Sequence, residues 1–387
     1  MQTQQFRAGT TYRECNNARV KGCWQIGLDM GYSSVKGFSP NSRFNFPTFA
    51  RKREVGITTI GEPHPSDILY EGPEGMWDVG ELAVNSLLAN DVEDSVQTLY
   101  ARHRYDSAMF RVAARVGMAM AMRKNTCGEL QQERLVLQTG LPSAYRTQND
   151  SAALVDALKG EHSFRVKFGA SPWQEYNFFL PRENIYVTQQ PLGSYFSACM
   201  DDNANMTMLG RRYYNSNILL FDAGFGTVDI GMIQARTRKQ YGAETYARWG
   251  MKEVFRRTVE EIQNRYQTEI AVHALSLYLD TGKVPVLDRR LHKRQEMPFD
   301  DLLLRHSQEV CNEVLDKMET AFDGLSNCQG LLIAGGTGAA WLDYIAKRYE
   351  QMEGMEVIRP IDGLPYIYAI ARGYYLVVTA LLRGEAK

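Results

Sequence analysis

Two apolar, β-prone runs flank a glycine turn in LLFDAGFGTVDIGMI, Leu219 to Ile233, with an acidic residue on either side of the turn. The pattern predicts strand, tight turn, strand, with Asp222 and Asp229 at its mouth. Nearer the start, Trp24 to Ser39 repeats the device: a strand, Asp29, Gly31, the hydroxyl residues Ser33 and Ser34, then Val35 and Lys36 entering a second strand. A third cluster, Gly330 to Ala346, leads from an apolar strand through Gly335, Gly336, Thr337 and Gly338 into an amphipathic helix. That is the form of a loop packed against a nucleoside.

Periodicity supplies the elements between these clusters. Arg43 to Gly80 reads as strands joined by long loops, with a helix beginning near Glu81. Over Ser107 to Arg123, Met109, Val112, Ala113, Val116 and Met120 recur at three- and four-residue intervals. This predicts a helix with one buried face and with Arg111 and Arg115 toward water. Leu135 to Arg146 reads as a short buried strand that must turn at Gly140 and Pro142, followed by a helix from Asp150 to Lys159 and strands around 162–168 and 173–180. Tyr186 to Ala198 gives a strand ending at Gln189 and Gln190 and the start of a helix. Strand ends of this kind are where open α/β sheets put their chemistry. Further helices are expected over Met251 to Tyr266, His306 to Phe322 and Pro365 to Leu382, and the alternation indicates α/β layers. The basic run Asp288 to Glu296, with Arg289, Arg290, His292, Lys293 and Arg294, reads as a solvated loop, with a filament contact or an acidic partner's site as the alternatives.

A chain of 387 residues exceeds one comfortable core, so two domains are expected. Hydrophobic residues at 44% and charged residues at 23% suit a soluble globular enzyme, and a net charge of −1 gives no electrostatic reason for direct nucleic-acid binding. Six cysteines without CxxC spacing suggest neither a metal site nor a disulfide framework, and a cytoplasmic location is expected. The first twenty-odd residues are polar, which argues against a secretory signal and reads as a loose tail or an added strand. Pro365 to Leu382, interrupted by Arg372, is too short to span a bilayer, so no membrane contact is expected. The turns themselves carry the chemistry. Gly224 and Gly226 let backbone N–H groups approach an anion closely, whereas Asp29 and Asp222 would repel a phosphate. A hard, oxygen-liganded cation such as Mg²⁺, held mostly through water, resolves the conflict.

Two Asp-bearing hairpins and a late Gly-Gly-Thr-Gly cluster, in this order, resemble the five-motif pattern of the actin, sugar-kinase and heat-shock-chaperone ATPase superfamily. Within it the chain resembles the bacterial plasmid-partition actins, the ParM/StbA family. Asp29-Met30-Gly31-Tyr32-Ser33-Ser34-Val35-Lys36 is similar to that family's first phosphate motif and Asp222-Ala223-Gly224-Phe225-Gly226-Thr227-Val228-Asp229 to the second. Gly335 to Gly338 is similar to the adenosine motif, Thr139-Gly140-Leu141-Pro142 to the segment before the first connecting helix, and Arg372-Gly373-Tyr374-Tyr375 to the second connecting segment. Tyr32 stands where the actins proper carry a small hydroxyl residue, and Gln190 where the best-known ParM carries Glu and actin Gln.

The resemblance implies an actin-like, ribonuclease H-like α/β fold, with two similar domains flanking a nucleotide cleft. Domain I would take residues 1–190 plus 365–387, and domain II residues 191–364. It implies an ATPase that forms filaments and segregates plasmid DNA through a DNA-binding adaptor, with Mg²⁺ and ATP as cofactors and GTP as an alternative. Asp29 and Asp222 would organise the metal through water, with Asp229 a secondary candidate. Gln190 would orient the attacking water, because an amide both donates and accepts yet is no strong base. Gly31, Tyr32, Ser33, Ser34, Lys36, Gly224, Phe225, Gly226, Thr227 and Gly335 to Gly338 would hold the nucleotide. The readings left open are a small-molecule kinase of the same fold, a non-plasmid bacterial or phage cytoskeletal actin homologue and, on the weakest footing, a dinucleotide oxidoreductase. The last lacks the helix that must follow a Rossmann glycine turn.

Overall fold

The structure is a computed structural model and describes residues 6–54, 56, 61–87, 102–235, 237, 239–288, 293–361 and 363–385. In chain order the first strands are β1 (Thr11–Glu14), β2 (Cys23–Met30), β3 (Ser34–Ser39), β4 (Ser42–Pro47), β5 (Ala50–Lys52), β6 (Ile68–Gly72) and β7 (Gly75–Val79). They lead to helices α1 (Glu81–Asn85) and α2 (Ala108–Met122). Next come β8 (Arg134–Leu141), α3 (Gln148–Leu158), β9 (Gly160–Phe168), β10 (Gln174–Leu180), β11 (Ile185–Gln189), α4 (Gln190–Cys199) and α5 (Met208–Tyr214). The rest comprises β12 (Ile218–Ala223), β13 (Val228–Ile233), β14 (Gln240–Tyr246), α6 (Met251–Tyr266), β15 (Lys283–Asp288), β16 (Lys293–Pro298), α7 (Asp300–Ala321), β17 (Gly330–Ala334), α8 (Gly335–Arg348), β18 (Glu356–Ile358) and α9 (Ala369–Glu385).

Two sheets repeat one plan. The first runs β1-β4-β3-β2-β8-β11 and the other β14-β13-β12-β17-β18. In each, a three-stranded antiparallel meander is extended by two strands parallel to the meander's first strand. The meander's first strand is central, so β2 and β12 are buried on both faces and read as nearly continuous apolar runs. An expected duplication of α/β halves is therefore present. A third, antiparallel sheet, β10-β9-β6-β7-β5, grows from the loops of the first half, and β15–β16 forms a separate hairpin in the second.

Two readings of the sequence need correction. Helix α2 buries twelve of its fifteen residues, and Arg115 does not face water: its side chain is 13% exposed, pairs with Glu74 and donates to the Tyr70 hydroxyl at 2.8 Å. Packing on two sides left no solvent face for this arginine, and a buried guanidinium must be paired. The basic run is not a simple loop, since its ends lie in the strands of the β15–β16 hairpin. Arg289, Arg290 and His292 lie outside the described residues.

Helices α4 and α9 cross backbone to backbone. A Cβ on Gly193 would lie 2.8 Å from the Ile370 carbonyl oxygen, and one on Gly373 would overlap the Gly193 carbonyl. Arg372 fastens the crossing, with Nη1 donating to the Ser197 carbonyl at 2.8 Å and Nη2 to Asp202 at 2.7 Å. Helix propensity alone favours Ala over Gly by about 1 kcal/mol. The overlap reverses that preference, and Gly373→Ala is expected to destabilise by about 1–3 kcal/mol, as overpacked cores do. A urea midpoint equal to or above that of the wild type would refute the close crossing.

Candidate functional site

Hairpin β2–β3 sets Asp29 directly opposite Lys36, and the two side chains pair at 3.2 Å. Both sit at the open end of the sheet because the turn follows Met30 at once. The turn's carbonyls are tied back into the first half. Thr48 Oγ1 donates to the Gly31 carbonyl at 2.8 Å, and the Thr48 amide to the Ser33 carbonyl at 3.0 Å. The buried Arg104 donates to the Met30 and Gly31 carbonyls and lays its guanidinium 4.2 Å from the Tyr32 ring centre.

In the second hairpin Asp222 faces Asp229 across the β12–β13 pair. Like charges directly opposite one another are destabilising, and here both are buried. Asp229 accepts from the Ser143 amide at 2.7 Å and Thr245 Oγ1 at 2.5 Å. Burial nevertheless pushes its carboxyl up to about 6, against those hydrogen bonds. Asp222 is pushed well above the usual carboxylate range, first by burial and then by Asp229 and Asp29, with Lys36 acting the other way. The turn between them is closed by the Gly224 amide on the Thr227 carbonyl at 2.9 Å, and its own carbonyls cap α6 through the Met251 and Lys252 amides.

The third cluster is less a loop than the first turn of α8. Gly335, at φ 79°, must be glycine on both counts: the backbone is left-handed, and a Cβ would lie 2.7 Å from Asp222 Oδ1. Thr337 Oγ1 donates to the Gly224 carbonyl at 2.9 Å and so locks α8 to the second hairpin turn.

These elements surround one cleft of about 650 Å³, within the range of small-molecule sites. Its walls include Asp29, Gly31, Tyr32, Ser33, Ser34, Lys36 and Gln190 from one side and Asp222, Gly224, Phe225, Thr227, Asp229, Gly335, Gly336 and Thr337 from the other. Gly226 and Gly338 are not in the wall. The first lies under Tyr32, where a Cβ would be 2.8 Å from the ring, and the second packs on Ile333. Gln190 Nε2 donates to Asp29 Oδ1 at 2.9 Å, and no side chain caps the start of α4.

Sequence reasoning missed Arg104, Thr48, Ser143 and Thr245, none of which stands in a recognisable pattern. It also missed the segment before β1. Phe6 packs on the second-half core, Arg7 pairs with both Glu81 and Asp280, and residues from Phe6 to Gly9 line the cleft. Among the described residues no group of three or more His, Cys, Asp or Glu is placed to hold a metal ion, and no helix is long and apolar enough to cross a membrane.

Residues 27–193 match the family model described as the actin like proteins N terminal domain. The fold is actin-like. The actin-like fold expected from the motifs is present, and solved structures share it over nearly the whole chain. A non-polymerisable quadruple mutant of pCBH ParM superposes with a TM-score of 0.70 at 18% identity, covering 92% of this chain and 99% of that one. A 15-stranded ParM filament from Clostridium botulinum gives 0.68 at 18% identity, covering 93% and 99%. An archaeal actin homologue in complex with ADP gives 0.62 at 14% identity, covering 92% and 99%. No curated protein matches the sequence.

The carboxylates of this actin-like chain give its stability a defined pH dependence. A carboxyl raised in the folded state holds its proton more tightly there, so its contribution is present below the unfolded value, near 4, and is lost as pH rises through about 6. For Asp229 this is about 3 kcal/mol. In EDTA, stability to urea is therefore expected to rise as pH falls from 7.5 to 5, and the Asp222→Asn/Asp229→Asn double variant should flatten the rise. Parallel pH profiles for the two proteins would exclude this origin.

Proposed function

We propose that the chain is an ATP-dependent polymerising protein that binds Mg-ATP in this cleft, hydrolyses it and segregates plasmid DNA in the cytoplasm through a DNA-binding adaptor. One observation carries the nucleotide reading: both hairpin turns and the start of α8 meet at a single cleft, with Asp29, Asp222 and Asp229 buried around it. Among the described residues, Lys36 is the cation paired to this cluster, through Asp29. The surplus of negative charge fits a divalent cation, which as a hard ion keeps several of its waters. When bound, Mg²⁺ would neutralise phosphate charge and stabilise the departing oxygen.

The chain's own residues have separable parts in this reading. Asp29 and Asp222 face the hydrated cation from the two halves, while Asp229, already engaged by Ser143 and Thr245, braces the second hairpin. Arg104 and Thr48 hold the turn's carbonyls behind it, which leaves its amides for phosphate. Gln190 spends one amide hydrogen on Asp29 and keeps Oε1 to accept from a water. A cap role for it has no support, since α4 begins without a side-chain cap. Residues 1–190 plus 365–387 and 191–364 would be the two bodies that close on nucleotide. Self-assembly is supported by the filament structure with the same fold.

Negative-stain microscopy with Mg-ATP is expected to show filaments, with phosphate release that Asp222→Ala abolishes while circular dichroism stays native. Turnover at the wild-type rate in Asp222→Ala would remove the metal assignment, and a chain that neither binds nor hydrolyses nucleotide would remove the function.

If Gln190 positions water, Gln190→Ala lowers kcat by roughly 10²-fold while nucleotide affinity is nearly unchanged, and filaments last longer. An equal loss of affinity and turnover would point to a structural role.

A further inference from the structure

Helix α9 lies across the face of the first sheet that carries Gln25, Gly27 and Asp29, alternate residues of β2. Gln25 donates to the Tyr375 hydroxyl at 3.3 Å and to Thr379 Oγ1 at 3.2 Å, and a Cβ on Gly27 would be 2.5 Å from the Tyr375 amide. Asp29 is the next position on that face. In the parallel neighbour β8, Gln138 is in register with Gly27, and two residues further along each strand Asp29 and Gly140 follow on the same face. The side-chain position that Gly140 leaves open is filled from α9 by Tyr374: a Cβ there would overlap the Tyr374 hydroxyl and lie 2.8 Å from Cζ. Gly193 of α4 makes room on the other side, where a Cβ would lie 2.9 Å from Cε1.

Two glycines thus admit a tyrosine that is 1% exposed and whose hydroxyl has no hydrogen-bond partner among the described residues. An unpaired buried hydroxyl is costly, and phenylalanine would fill the same space without that cost. The phenol is pushed well above its usual range by burial and then by Asp29, Asp222 and Asp229, so its oxygen lies in the field of all three carboxylates. A buried polar atom without a protein partner beside an acidic cluster is the setting in which an ordered water is held.

We propose that Tyr374 is a positioning residue of the cleft, its hydroxyl donating to a water held against Asp29 and so orienting the carboxylate that faces the hydrated cation. This rests on the Mg-nucleotide reading. It also links α9, the helix crossing α4, to the ligand through that water and Asp29. Gln190 and Lys36 hold Asp29 from the cleft side, and Tyr374 holds it from the helix side.

Tyr374→Phe removes one oxygen and tests this by thermal melting with Mg²⁺ titrated in the presence of a non-hydrolysable ATP analogue. In EDTA without nucleotide the variant should melt no lower than the wild type, because no protein hydrogen bond is lost. The Mg²⁺ concentration for half of the ligand-induced shift should rise roughly tenfold. A lower melting temperature in EDTA would show that the hydroxyl makes a structural bond and overturns the proposal. So would a wild type that responds to Mg-nucleotide with Tyr374→Phe responding identically, which leaves the nucleotide reading intact. A wild type with no response to Mg-nucleotide overturns both.

Discussion

Three carboxylates share one buried cleft, where Lys36 pairs with Asp29, and the surrounding architecture answers to that repulsion. Asp222 and Asp229 face each other across one strand pair, while Asp29 approaches from a different sheet. Left to itself such a cluster would open or hold protons, which is the direction in which Asp222 and Asp229 are displaced. Their neighbours bear the strain unequally. Asp229 is braced by hydrogen bonds from a first-half loop and from β14, whereas Asp222 is pressed by the start of α8. The same charges that destabilise the ligand-free cleft would make a cationic ligand favourable there.

Holding opposed charges in place requires rigid supports, and these come from backbone contact more than from side chains. The glycine crossing of α4 and α9 brings two helices closer than any Cβ would permit. Helix α9 also rests on β2 at Gly27. The helix that carries Tyr374 thereby touches both the strand that carries Asp29 and the helix that begins at Gln190. The second half is joined in the same way, with Thr337 on Gly224 and the α6 amides on the hairpin's carbonyls.

Local pattern determined much of this protein. The two hairpins, the α8 turn, α6 and the order of motifs were legible because each is written in contiguous residues: alternation, a glycine where φ must be positive, a helical period. Asp29 with Lys36 and Asp222 with Asp229 follow from hairpin register, which a short turn dictates. Tertiary structure decided the rest. Arg115 sits on a helix pattern that suggested a solvent face, and only the third sheet packed beside it turned that face inward. Arg104 reaches the first turn from 73 residues away, and no local signal distinguishes it from any surface arginine. Gly226 and Gly338 fit their motifs yet fall outside the cleft, because Tyr32 and Ile333 occupy the space beside them. Tyr374 stands in sequence within the Arg372 to Tyr375 segment of a helix, and nothing there says where its hydroxyl goes. That its ring and hydroxyl end in the space left by Gly140 and Gly193 depends on how two helices and a strand meet, and such a meeting has no signature in any one of them.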